Sequence, residues 1–226
     1  MRVPADKSPI PHHVAQLVEL LQKLAHRSSS CHPEFNKQAA IRLASMVRQV
    51  TELAEESLTF EGTETWRTVY ERVLAMCQTR RYLSAALIRT DCYWRDLPGR
   101  TSMDFNYRLI EHGFSIERTF IVDPFFWPPS ARTPTGSILS WISAQYRRGV
   151  TARLVRLSDL DEEPDLVADF GIYGDDAVGR QVVDFEGKTQ KFQIHFDEDH
   201  LREAEERWDR LLLYSVLLDD LLTGEK

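Results

Sequence analysis

The sequence predicts a mixed α/β fold preceded by an N-terminal helical hairpin, on three observations. Apolar residues recur at helical spacing in two stretches before position 56; short β-rich runs alternate with helical stretches from about Ser57 onward; and glycines punctuate the passage from helix to strand. With 226 residues the chain has room for one full-sized domain with an appendage, or for two small domains. The expected division is a hairpin over 1–56 and an α/β domain over 57–226.

Val14, Leu17, Val18, Leu21 and Leu24 line one helical face that ends at the serines 28–30. A second stripe of Leu43, Met46, Val47, Val50, Leu53 and Ala54 follows Pro33. Two such stripes joined by a short loop pair with each other, yet cannot bury both faces alone.

From Leu58-Thr59-Phe60, a short strand, the chain passes to a helix capped by Thr63, with Trp66, Val69, Tyr70, Val73, Leu74 and Cys77 on its apolar face. Tyr82 to Ile88 is nearly all apolar, as in a strand buried on both sides. Asp91 to Arg100 reads as a loop. Ser102 or Asp104 opens a helix that closes at Gly113, and Ile116 to Val122 is the next strand. A proline-rich loop with Phe125, Phe126 and Trp127 in succession then leads to a helix from Ser137, stopped by Gly149, and a strand over Val150 to Leu157. Exposed aromatics of that kind mark contact surfaces, and folded inward they roof a core. Strands near Leu166 to Tyr173 and Ala177 to Phe185 follow, and a turn at Glu186-Gly187 joins the second to a half-exposed strand, Lys191 to Phe196. One long helix capped by Asp197 and running past Leu221 closes the chain as a lid.

Composition narrows the function. Hydrophobic residues make up 42% and charged residues 28%, ordinary globular usage, which excludes disordered and fibrous classes. No run approaches the roughly 18 to 20 apolar residues of a membrane span, and the first residues carry no apolar signal-peptide core. Cys31, Cys77 and Cys92 fit no disulfide or zinc spacing and read as packing residues, so a cytoplasmic location is expected. A net charge of −7 disfavours nucleic acid as a partner.

The segments GFSIERTFIVD, AQYRRGVTARLV and DFGIYGDDAVGR, in this order of strands and helices, resemble the phospholipase D-like fold from about Leu58 to Leu222. The resemblance implies a mixed sheet flanked by helices. Active members need a His-x-Lys-x4-Asp motif on a late strand, where the histidine attacks phosphorus and the lysine neutralises the phosphoryl oxygens. With Asp175 as the motif aspartate, the other two positions hold Ala168 and Phe170; with Asp176 they hold Asp169 and Gly171. The resemblance therefore implies the scaffold without the nucleophile.

Ligands in α/β sheets gather at the carboxyl ends of strands. The candidate site residues there are Arg89, Asp91, Tyr93 and Trp94 after one strand and Asp123 after the next. Arg118 and Asp169 join them because each is a charge inside an apolar strand and needs compensation, by each other or by a bound anion. The basic cluster Arg147, Arg148, Arg153 and Arg156 is split between strand faces. The seven histidines show no metal-binding motif; His195 and His200, with Asp197 and Asp199, read as solvated surface. No cofactor and no metal are expected.

The function these readings predict is a non-catalytic binding or regulatory module that recognises a small anionic ligand, a protein partner or a lipid headgroup. One alternative is an enzyme in which Asp91, Asp123 and Asp169 supply acid–base or metal chemistry. Another is a structural protein that forms homodimers through its N-terminal helices.

Overall fold

The computed structural model describes residues 9–27, 32–62, 65–91, 97–184 and 189–224. The chain divides into two compact units, Met1–Thr51 and Glu52–Lys226. The first holds α1 (Ile10–Arg27) and most of α2 (Pro33–Ala54). Leu21, Leu24 and Ala25 of α1 share with Phe35, Ala39 and Leu43 of α2 a space of about 270 Å³. Within its own unit the hairpin buries none of α2's side chains, as two lone amphipathic helices must leave them.

The second unit is built on β1 (Ser57–Glu61), α3 (Trp66–Met76), β2 (Arg81–Ile88), α4 (Leu97–Glu111), β3 (Ser115–Val122), α5 (Gly136–Tyr146), β4 (Thr151–Arg156), β5 (Asp169–Tyr173), β6 (Ala177–Val183), β7 (Thr189–His195), α6 (Glu198–Tyr214), β8 (Val216–Leu217) and α7 (Leu218–Thr223). All the strands join one sheet in the order β1-β7-β6-β5-β2-β3-β4-β8. β2, β3 and β4 run parallel, and every other pairing is antiparallel. The mixed sheet flanked by helices is the fold class that the alternation of elements predicts.

Side-chain alternation divides the core between two faces. Tyr82, Ala86 and Ile88 of β2, with Ile116 and Phe120 of β3, pack against α3, α4 and α5. Leu83 and Ala85 of β2, Ile121 of β3 and Ile172 of β5 point the other way, onto Ala204, Trp208 and Leu211 of α6. Gly113 and Gly149, each at positive φ, end the helices that precede β3 and β4, a backbone conformation that costs other residues energy.

Two expectations need correction. α4 begins at Leu97, several residues before Ser102, because Pro98 is tolerated in a first turn, where backbone N–H groups have no intrahelical partner. The closing helix is not continuous: α6 ends at Tyr214, and Val216–Leu217 extends to pair with the free edge of β4 before α7 starts. β1 returns from the start of the domain and pairs with β7 along its whole length. Trp127 turns inward and donates from Nε1 to the Ala131 carbonyl at 3.2 Å, while Phe125 beside it is 79% exposed. The loop thus roofs the core with one aromatic and presents another. Thr63, Phe185, the Glu186-Gly187 turn, Cys31 and Cys92 lie outside the described residues.

One row across the sheet pairs Arg118 with Ser84, Ser84 with Gly171, and Gly171 with Gly179. The two glycines leave a floor on which the Tyr173 ring lies. A Cβ at Gly179 would stand 2.5 Å from Phe192 Cζ and 2.6 Å from Tyr173 Oη, closer than packed atoms tolerate. We expect Gly179→Ala to destabilise the fold by about 1–3 kcal/mol, the usual penalty for overpacking, as read from urea denaturation midpoints. A neutral result would show that the rings move aside freely.

Candidate functional site

The glycine floor opens a cleft of about 90 Å³ between the sheet and helices α3 and α4. Its walls are aromatic: Trp66 stacks on Phe192 at 4.4 Å between ring centroids, and Tyr173 lies 5.5 Å from both Tyr70 and Tyr82. Burial raises the hydroxyl pKa values of Tyr70 and Tyr173, so both rings stay neutral.

Arg118 enters this cleft from β3, a central strand, and is only 7% exposed. It reaches no carboxylate among the described residues. Nη1 donates to Gln145 Oε1 of α5 at 2.5 Å, and Nε donates to Ser84 Oγ of β2 at 3.2 Å. Nη1 also lies 3.5 Å from Met103 Sδ, and the guanidinium sits 5.9 Å from the Tyr82 ring centre. Nη2 has no hydrogen-bond partner among the described residues and is open to the cleft. Gln145 is fully buried, with its carboxamide oxygen committed to this one cation.

Two further polar atoms on the cleft wall lack partners among the described residues, Asn106 Oδ1 and Trp66 Nε1. Asn106 is 3% exposed, so its oxygen has lost water without gaining a protein donor, which is costly unless a ligand or water fills the role. Arg67 stands near the mouth, 4.5 Å above the Trp66 ring, and donates to Ser102 Oγ at 2.7 Å.

Asp169 lines the same cleft from the first position of β5. Burial pushes its carboxyl up to about 7, although the Leu87 N–H, donating to Oδ1 at 2.8 Å, and the charge of Arg89 both pull it down. It is therefore about half protonated near neutral pH and can donate as well as accept a hydrogen bond. The ion pair expected between Arg118 and Asp169 is not formed. Asp169 lies opposite Gln181 of β6, two strands from Arg118 and one row further along the sheet; Arg118 is held by neutral groups, and Asp169 by the Leu87 N–H with the charge of Arg89 nearby.

The other sequence candidates divide. Arg89 is exposed and lines with Asp169 a small recess of about 10 Å³ at the end of β2. Asp123 is a loop organiser: its Oδ1 accepts from the Phe125 N–H at 2.9 Å and its carbonyl accepts from the N–H groups of Phe126 and Trp127. Asp91 does not line the cleft, and Tyr93 and Trp94 lie outside the described residues. The three aspartates of the enzymatic alternative therefore do not converge; Asp169 is the one that lines the cleft. Ser84, Asn106, Gln145 and the glycine pair escaped sequence reasoning. The residues Gly171 and Gly179, set opposite one another in a predicted hairpin, were the available signal.

No protein-family model matches the chain, and no curated protein matches it. Among solved structures, the chain is similar to Nuc of Salmonella typhimurium, described as a phospholipase D family member, at 11% identity and a TM-score of 0.49 over 71% of this chain and 96% of that one. It is also similar to NucT from Helicobacter pylori (10% identity, TM-score 0.49, 72% of this chain and 98% of that one). A third is the phosphatidylserine synthase of Haemophilus influenzae (11%, 0.45, 75% and 41%). Each of these likenesses concerns the course of the chain alone. No described helix is long and apolar enough to cross a membrane.

The Asp169 carboxyl makes stability depend on pH. Its folded pKa, about 7, lies above the ordinary unfolded value of about 3.9, so between these two values the folded state binds the extra proton. Stability contributed by this group is fully present below about pH 4 and is lost as pH rises to about 7. Asp169→Asn keeps an acceptor for Leu87 N–H and should remove that slope, gaining roughly 1–3 kcal/mol at pH 8 over the parent once the partial exposure of Asp169 is allowed for. Urea melts at pH 5 and pH 8 measure it. Identical slopes in both proteins would mean that Asp169 ionises normally.

Proposed function

We propose that the Arg118 cleft binds a small oxyanion, the phosphoryl or carboxylate group of a ligand, and that the protein is a binding or regulatory module. The observation that carries this reading is a buried guanidinium without a carboxylate partner, with Nη2 open to the cleft. A buried cation held by neutral dipoles alone favours any anion that reaches it. Asp169 supports the same reading in its protonated form, as a hydrogen-bond donor, and opposes it when ionised. Affinity for an anion should accordingly weaken as pH rises through about 7. The aromatic walls suit a ligand whose anionic end is compact and whose remainder is flat or apolar.

Among the described residues no histidine lines this cleft, so the histidine nucleophile of phosphoryl transfer in the phospholipase D-like pattern is missing from it. In the register that places Asp176 as the motif aspartate, the strand positions that face the cleft hold Asp169 and Gly171. Purified protein should therefore leave a generic phosphodiester uncleaved. Turnover abolished by Asp169→Asn would instead establish an enzyme with a carboxylate in the working position.

Anion binding is tested by thermal melts. Inorganic phosphate or sulfate at millimolar concentration should raise the Tm of the parent protein, more at pH 6 than at pH 8, and leave Arg118→Met unmoved. The substitution itself should cost about 1–3 kcal/mol, because it strands Gln145 Oε1 rather than a carboxylate, whose loss of partner would cost about 3–5 kcal/mol. An anion shift of equal size in both proteins would overturn the assignment. A free phosphate and a phospholipid headgroup offer the same chemistry; flotation with anionic vesicles, competed by inorganic phosphate, tells them apart.

A further inference from the structure

The passage from β7 into α6 brings together three residues expected on solvated surface. His195 is the last residue of β7, Asp197 is the N-cap of α6, and His200 lies in that helix's first turn. His195 is enclosed, with its side chain 12% exposed; His200 is 38% exposed. Their rings stack with centroids 3.8 Å apart and planes 13° from parallel. His200 Nδ1 lies 2.8 Å from both oxygens of Asp197. His195 Nδ1 lies 4.0 Å from Asp197 Oδ2 and, although buried, has no hydrogen-bond partner among the described residues.

We propose that His195, Asp197 and His200 form a binding site for a divalent transition-metal ion of the zinc type, through two imidazole nitrogens and one carboxylate oxygen. Their candidate ligand atoms all lie within 4.8 Å of one another. Tetrahedral zinc, bonded at about 2.0–2.2 Å, sets its ligand atoms roughly 3.3 Å apart, so side-chain rotation that moves them by up to about 1.5 Å closes the set. The parallel stack does not aim the two ring lone pairs at one point. His200, the more exposed ring, is the one that turns. Asp197 Oδ1 meanwhile keeps the backbone N–H of His200, which caps α6 at 3.0 Å, while Oδ2 faces the ion. The orphan Nδ1 of His195 gains the partner it lacks. Three protein ligands leave a coordination position for water or substrate.

Protonation suits the same reading. A metal needs neutral imidazole and ionised carboxylate. Burial, followed by the charge of His200, holds His195 below the usual histidine range. Burial of Asp197 pushes its carboxyl up, but the hydrogen bonds from His200 outweigh that and hold it below its ordinary value. Two local charges oppose a cation: Arg180, which faces His195 from β6, and the positive end of α6. Glu203, 3.7 Å from Arg180, and the acids Glu198 and Asp199 in the first helical turn offset them. None of the three ligands lines the Arg118 cleft, so this site stands independently of the anion reading.

The competing site for added metal is the adjacent pair His12 and His13 on α1, with ring centroids 5.6 Å apart. Calorimetric titration of the full chain with Zn²⁺, repeated with Co²⁺ to read the visible bands of a tetrahedral site, separates the two. We expect one equivalent to bind and to be retained by His12→Gln/His13→Gln. His200→Gln and His195→Gln should each weaken binding by at least the roughly 10–100-fold that loss of an outer-shell partner costs. His200→Gln, at a partly exposed ring, keeps the comparison informative if His195→Gln fails to fold, as far-UV circular dichroism would show. Parent-like Zn²⁺ affinity in His200→Gln, loss that follows His12 and His13 instead, or no binding by the parent would each overturn the proposal.

Discussion

A guanidinium on a central strand of a sheet must find hydrogen-bond acceptors among its neighbours to stay buried, and Arg118 imposes that requirement on its surroundings. Gln145 reaches it from α5 and Ser84 from β2. Each of these partners is itself buried, so the oxygen that each offers the arginine is withheld from water. The helix that supplies Gln145 is locked against the sheet by Ile138 and Ile142, which packs α5 in one position over Phe120 and Leu154. Charge, sheet and helix are therefore set together.

The space in front of Arg118 exists because the two neighbouring strands lack side chains in the same row. Gly171 and Gly179 stand in register beside Ser84, and the Tyr173 ring occupies the height their Cβ atoms would have needed. A residue of ordinary size at either position would fill the cleft with Tyr173 displaced into it. Arg118, Asn106 and the protonatable Asp169 then line one cavity with aromatic walls, where a low dielectric strengthens any interaction they make. The lining of this cavity comes from β2, β3, β5, β6, β7, α3, α4 and α5.

Local signals in the chain determined most of the elements. Hydrophobic period and glycine placement marked the helices ending at Gly113 and Gly149, the doubly buried β2 and the strands that follow, because these patterns reflect contacts within a few residues. The same reasoning failed where a distant partner decided the outcome. Val216 and Leu217 carry the apolar pattern of a continuing helix but extend to pair with β4, whose open edge no local pattern announces. β1 likewise meets β7 across more than a hundred residues of chain.

The candidate site divides along the same line. That Arg118 and Asp169 each required compensation was determined by sequence alone, since a charge flanked by Ile116 and Phe120, or by Val167 and Phe170, is unusual in any sheet. Which groups compensate them was decided by strand order and register. Two strands and one row separate the pair, so Arg118 turns to Gln145, Asp169 to the Leu87 N–H, and neither to the other. In the same way, the sequence showed His195, Asp197 and His200 only as neighbours in the chain. The turn from a strand into a capped helix is what brings their side chains together, because direction there is set by backbone geometry that spacing does not encode.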